Sequence, residues 1–203
     1  MISKNSKYLL RGTPSLLLPL GAGFVMASSA DLRAALGMGI AVILATLLSA
    51  IVISAIRKII PDCAKIPAYL LIITGFVSLI DMVMQAYYPE VVNMLGVHLA
   101  ALAVSAVPYR DAEEVAGKNG ELKSISIAAH TGLFFTAILV ICALIREVLG
   151  NASIAGKPIE FLANYKISAL AGAFGGYLVL AVVLAVIRKI GSKILEKKVK
   201  EEN

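Results

Sequence analysis

Long apolar runs dominate this chain and are separated by short stretches that carry nearly all of its charge. Six runs stand out, at residues 12–30, 34–56, 66–89, 91–109, 124–145 and 167–187. Each is close to the ~20 residues that cross the hydrocarbon layer as a helix. Strict apolar–polar alternation is absent, which disfavours a membrane β-barrel. Two runs are interrupted. The first contains Gly12, Pro14, Pro19, Gly21 and Gly23, and the fourth ends in Ser105-Ala-Val-Pro108. Proline removes a backbone donor and clashes with the carbonyl four residues back, and irregular backbone at membrane depth is tolerated only where protein or a water-filled cavity covers it.

The second and fifth runs are long and regular and end alike, in Ala55-Ile-Arg57 and Leu144-Ile-Arg146. The order is therefore interrupted, long, third, and then the same again. Three spans per half make the two halves face opposite ways. This is the pattern of an inverted-topology repeat, whose interrupted segments meet near the midplane. The prediction is an all-α integral membrane protein with six transmembrane helices in one membrane domain over residues 1–203. Its first half is 12–89, its second half 91–187, and residues 188–203 form a basic tail.

Composition agrees. The chain of 203 residues is 59% hydrophobic and 16% charged, with a mean hydropathy of +0.87, well above a soluble domain's share of apolar residues. No cleavable signal peptide is evident, and Ala27-Ser-Ser-Ala30 is only a weak lookalike of a cleavage site. In a membrane protein the net charge of +6 reports topology rather than a nucleic-acid partner. With the N-terminus inside, Arg33, Arg146, Lys157 and Lys166 are the outer basic residues and all other Lys and Arg lie inside. The positive-inside rule then predicts cytoplasmic N- and C-termini. The outer loop at 146–166 is long enough for a short surface helix. The basic tail suits contact with anionic lipid headgroups.

Candidate chemistry is sparse. Cys63 and Cys142 lie in different segments without metal-type spacing, so neither a disulfide framework nor a zinc site is readable. Asp81 is the sharpest signal. It lies about fifteen residues into the third run, ~22 Å along a helix, and an ionisable residue inside a span is a functional candidate by default. The competing reading is an acid near the outer end paired with a neighbour. His98 and His130 are isolated and read as polar packing residues. Arg146 and Glu147 follow a helix end and read as an ion pair or cap, and Arg110, Asp111, Glu113 and Glu114 as a solvated cytoplasmic face. Gly37, Gly39, Gly172, Gly175 and Gly176 lie in apolar helices, where small residues allow close helix approach. No Ser–His–Asp set, HExxH or P-loop is present.

One stretch resembles a known family. Ser54-Ala-Ile-Arg-Lys-Ile-Ile-Pro-Asp62, followed by Lys65-Ile-Pro-Ala-Tyr69, is similar to the six-helix membrane subunits of the Rnf complex and of the sodium-pumping NADH:quinone oxidoreductase, closest to the RnfE/NqrD type. The likeness continues through Ala35-Leu-Gly-Met-Gly39, Asp81-Met-Val-Met-Gln-Ala-Tyr87, Lys118-Asn-Gly120, Arg146-Glu-Val-Leu-Gly150 and Gly172-Ala-Phe174. It implies two inverted three-helix halves and pairing with a homologous partner of the RnfA/NqrE type in a prokaryotic plasma membrane. It also implies an iron–sulfur cluster held at the midplane by four thiolates of the pair, which carries electrons between flavin-bearing subunits while the complex moves Na⁺ or H⁺. Here the two ligand positions fall on Gly23 and on Ser105, or on Ala106 with the gap placed differently. None of these is a thiolate, so the resemblance carries fold and complex type without cluster ligands. Asp81 matches a family acid associated with cation uptake, whereas a second such acid corresponds to Ile127. Two functions follow: a non-catalytic membrane subunit of an Rnf/Nqr-type ion-translocating oxidoreductase, or a cluster-less paralogue acting as a transporter or assembly protein.

Overall fold

The computed structural model describes residues 31–116, 121–151, 153–154, 157–158 and 172–201. The first interrupted run, with Gly23, lies outside them, as do residues 167–171 of the sixth. Helix α1 (Leu32–Ile56) organises the rest. Beyond Arg33 it has no charge, and its inward side is built from small residues: Ala34, Ala35, Gly39, Ala41, Ala45, Thr46, Ser49 and Ala50 are all buried. Leu36, Ile40, Leu44, Leu48 and Ile51 are exposed instead. In water this would be an inverted helix. In lipid it is the expected arrangement, because the tails are as apolar as leucine and helices associate by letting backbones approach closely.

The chain leaves α1 at Arg57, turns through an extended Pro61, and passes a 3₁₀ turn (Asp62–Ala64) into α2 (Lys65–Tyr87). An ion pair between Asp62 and Lys65 closes this turn. Pro67 falls in the first helical turn, where its missing donor costs nothing. Tyr69, Ile73, Val77 and Ile80 form the packed side of α2. A broken stretch follows, with α3 (Pro89–Leu95), α4 (Val97–Ala101) and α5 (Ala106–Arg110). A π-helical turn (Asp111–Ala116) precedes the long α6 (Glu121–Arg146), and α7 (Ala173–Glu201) closes the described chain.

The most extensive helix contact joins α1 to α6, and it is antiparallel. Leu32 meets Glu147, Gly39 meets Thr136, and Thr46 meets Gly132, so the numbers rise along one helix as they fall along the other. The hydroxyl of Thr136 donates to the carbonyls of Gly39 (3.1 Å) and Gly132 (2.8 Å). A Cβ on Gly39 would collide with Thr136, and one on Gly132 would lie 3.2 Å from the Ile43 backbone. Glycine and threonine thus face each other twice, reciprocally, at the centre of the packing.

Among the described residues, Leu32–Ile56, Asp62–Tyr87 and Leu122–Gly150 are long and apolar enough to cross a membrane, and the bent pair Pro89–Leu95 plus Val97–Tyr109 is a fourth when its two arms are taken as one broken span. Phe174–Ile187 is a shorter apolar helix within the predicted sixth run. The loop predicted to lie outside differs from expectation up to Pro158. Instead of a short helix it has a π-helical turn (Glu147–Asn151) and a ladder pairing β1 (Ser153–Ile154) with β2 (Lys157–Pro158), Ser153 opposite Pro158 and Ile154 opposite Lys157. Only two residues separate the strands, a spacing that suits a hairpin and leaves no room for a helical turn.

Candidate functional site

The irregular backbone predicted for the fourth run is present, and it is broken twice. Pro89 occupies the first position of α3, where proline's fixed φ suits a helix start. The helix then ends at Gly96, which has φ 52° and ψ −134°. That conformation is outside the reach of most L-residues and is natural for glycine. A Cβ there would meet nothing within 4 Å, so the backbone angle alone calls for glycine. The two arms of the span make an angle of 72°. Sequence reading pointed to Ser105-Ala-Val-Pro108 and missed Gly96, since a glycine in an apolar run reads equally well as a packing position.

The second break lies where it was expected. A 3₁₀ turn (Leu102–Val104) leads to an extended Ser105, φ −73° and ψ 149°, and α5 starts afresh at Ala106. Pro108 explains the restart. In a continuous helix its ring would strike the carbonyl of Val104, and the extended Ser105 moves that carbonyl out of line.

Ser105 is the more informative residue. Serine before a helix normally caps it by accepting a hydrogen bond from the first turn, but the Ser105 side chain makes no such bond. It is 2% exposed, and its Oγ has no hydrogen-bond partner. A buried hydroxyl left unpaired costs about 1–3 kcal/mol. The break therefore presents a lone polar group inside the protein, at one of the two residues, Ser105 or Ala106, on which the resemblance places its second ligand position.

The donor set does not fit a four-thiolate cluster. Ser105 supplies a neutral hydroxyl. Cys63 is exposed in the turn before α2, and Cys142 is buried in α6. Among the described residues no three His, Cys, Asp or Glu side chains gather as metal ligands.

Asp81 lies on α2, half-buried, and its carboxylate accepts a hydrogen bond from Gln85 Nε2 at 3.0 Å, one helical turn on. His98 on α4 is half-buried and His130 on α6 is exposed. Ile127, which the resemblance sets against a second family acid, is half-buried on α6.

Arg146 and Glu147 form a polar junction at the predicted outer end. Both are 1% exposed. Glu147 Oε2 accepts from the backbone N–H of Leu32 at 3.0 Å, and Arg146 Nη2 donates to the Gly172 carbonyl at 3.2 Å. The cap expected from sequence is thus real, and the helix it caps is α1. Asp111, expected on a solvated face, is 3% exposed, because the π-helical turn packs it against α1 and α6. Glu113 is exposed as expected.

Comparison with known proteins extends the likeness over the chain. Residues 2–187 match the family described as Rnf-Nqr subunit, membrane protein. The chain is 34% identical over 179 residues to the E-type subunit of the Na(+)-translocating ferredoxin:NAD(+) oxidoreductase complex of Acetobacterium woodii, covering 88% of this chain and 91% of that one. It is 30% identical over 193 residues to the E-type subunit of the proton-translocating ferredoxin:NAD(+) oxidoreductase complex of Clostridium ljungdahlii, covering 94% and 89%. The E-type subunit of the ion-translocating oxidoreductase complex of Methanosarcina acetivorans is 32% identical over 153 residues, covering 75% and 72%.

Proposed function

The chain belongs to the Rnf-Nqr family of membrane subunits, and from that premise we propose that it is the E-type subunit of an ion-translocating oxidoreductase complex using ferredoxin or NADH. It pairs with a homologous six-helix subunit, its termini are cytoplasmic, and its two halves, 12–89 and 91–187, are inverted repeats within one membrane domain. The observation that carries this reading is the fourth span, broken at Gly96 and Ser105. A lipid anchor gains nothing from such a break, whereas an inverted-repeat protein places its functional site at one. The antiparallel packing of α1 on α6, the second helix of each half, supports the repeat. Asp81 would lie on the cation route, with Gln85 orienting its carboxylate.

A second reading has its own support. Gly23 and Ser105 supply no thiolate, which favours a paralogue that retains the architecture and carries no electrons. Purification of the tagged chain with its natural partners separates the two. The first reading expects flavin-bearing subunits to co-purify, with iron and acid-labile sulfide at the membrane pair and ion-dependent oxidoreductase activity. An intact assembly of membrane subunits with neither iron nor redox activity establishes the second.

A further inference from the structure

The membrane-facing side of α2 has a composition that lipid does not explain. Tyr69, Ile73, Val77 and Ile80 are buried and fall within an arc of ~80° at 100° per residue. Nearly opposite them, Leu71, Gly75, Ser78, Met82 and Gln85 are all exposed. Their spacing alternates between four and three residues, the spacing of a helix–helix seam. Thr74 and Asp81 border the same strip. Thr74 satisfies its hydroxyl on the Leu70 carbonyl at 2.7 Å, but Gln85 and Asp81 bond to each other and leave amide and carboxylate at the surface.

Gly75 distinguishes this strip from the other glycine contacts. Gly37, Gly39 and Gly132, in α1 and α6, each lie against another element, so that a Cβ would press on Val91, Thr136 or Thr46. A Cβ on Gly75 would meet nothing within 4 Å. A small residue in a membrane helix admits a neighbouring backbone, and here the space stands open. An ionisable group in a span ordinarily faces protein or a water-filled cavity, so the same strip calls for a polar partner at the depth of Asp81.

The geometry points to this face of α2 as the docking seam for a transmembrane helix of another subunit, one that packs over Gly75 and brings an amide or basic hydrogen-bond donor to Asp81 and Gln85. Charge complementarity selects the occupant: a carboxylate within a span calls for a basic or strongly dipolar donor, and residues 12–30 of this chain offer hydroxyls alone, with neither an amide side chain nor a basic group. The inference rests on membership of a multi-subunit complex and names the surface through which one member joins.

Gly75→Phe builds a ring outward from a Cβ that meets nothing within 4 Å. The test expresses the tagged full-length chain, wild type or variant, with its natural partner genes and quantifies the co-purified subunits. The expected result is at least tenfold loss of one membrane subunit from the variant, with unchanged detergent stability of the singly expressed chain. Ser78→Leu with Gln85→Leu is expected to act in the same direction by removing donors. Retention of every subunit by both variants overturns the inference. Reduced stability of the singly expressed Gly75→Phe chain also overturns it, since the chain would then cover its own strip. Loss of self-association alone overturns it in favour of a second copy. Failure of the wild type to retain any other subunit would instead defeat the complex assignment, a separate outcome.

Discussion

Glu147 holds the start of a helix that begins 115 residues before it: its carboxylate oxygen lies 3.0 Å from the backbone nitrogen of Leu32 and accepts that hydrogen bond. Asp31, the residue at the local capping position, makes no cap with its own side chain. The first turn of α1 therefore depends on the π-helical turn that follows α6 for this acceptor and for a negative charge at the positive end of its dipole. Glu147→Ala is expected to cost about 1–3 kcal/mol. That corresponds to a fall on the order of 5 °C in the unfolding midpoint of the detergent-solubilised protein. Glu147→Gln keeps an acceptor and is expected to lose less than half as much. Equal losses for the two variants would mean that charge, not the hydrogen bond, carries the contact.

The meeting of Gly39 and Thr136 calls for a paired test. A methyl on Gly39 collides with Thr136, whose hydroxyl also bonds the Gly39 carbonyl. Gly39→Ala is expected to destabilise by about 1–3 kcal/mol, the usual cost of overpacking. Thr136→Ser deletes the obstructing methyl and keeps the hydroxyl. In that background Gly39→Ala is expected to cost about 1 kcal/mol less, a coupling within the range for residues in contact. Additive effects in this cycle would show that the helices accommodate the methyl elsewhere.

These two contacts mark where sequence reading stops. The helical spans and the irregularity before Pro108 were legible, because span length and proline sterics are local and need no partner. The capping role of Glu147 was legible in kind, but its recipient was not, because nothing in Arg146-Glu-Val-Leu-Gly150 refers to Leu32. Asp111 read as solvated from its charged neighbours, and only the π-helical turn, a tertiary feature, buries it. Gly96 was hidden for a different reason. Gly37, Gly39 and Gly96 look alike in an apolar run, yet two are needed for space and one for its backbone angle.

That difference is itself measurable. Gly96→Ala meets no steric obstacle outside the backbone and is expected to cost about 1–3 kcal/mol through strain alone. Asparagine often relieves glycine positions in the left-handed helical region, but a ψ of −134° lies far from that region, so Gly96→Asn is expected to be no better than alanine. The same pair of substitutions at Gly75, whose φ is not positive, is expected to be neutral or stabilising in the singly expressed chain, since glycine weakens a helix by about 1 kcal/mol relative to alanine. Comparable behaviour of the two sites in thermal unfolding would remove the backbone explanation for the 72° bend.

Asp81 provides the test closest to function. A carboxylate inside a span costs at least ~2.5–3.5 kcal/mol on insertion scales, and the bond from Gln85 orients it without neutralising it. Asp81→Asn preserves the shape and an oxygen acceptor for Gln85 and removes only the charge. On the proposed cation route, its expected effect is an increase on the order of tenfold in the apparent KM for the transported ion, equivalent to about 1.4 kcal/mol. The maximal rate at saturating ion should change far less. Gln85→Ala keeps the charge and loses its orientation, so a smaller rise in the same KM is expected. Both variants are measured in vesicles with the amount of assembled complex quantified, so that lost docking on α2 registers as less complex and a damaged route as weaker ion affinity per complex. An unchanged KM at normal assembly for Asp81→Asn removes this acid from the route and leaves it as a contact on the docking face.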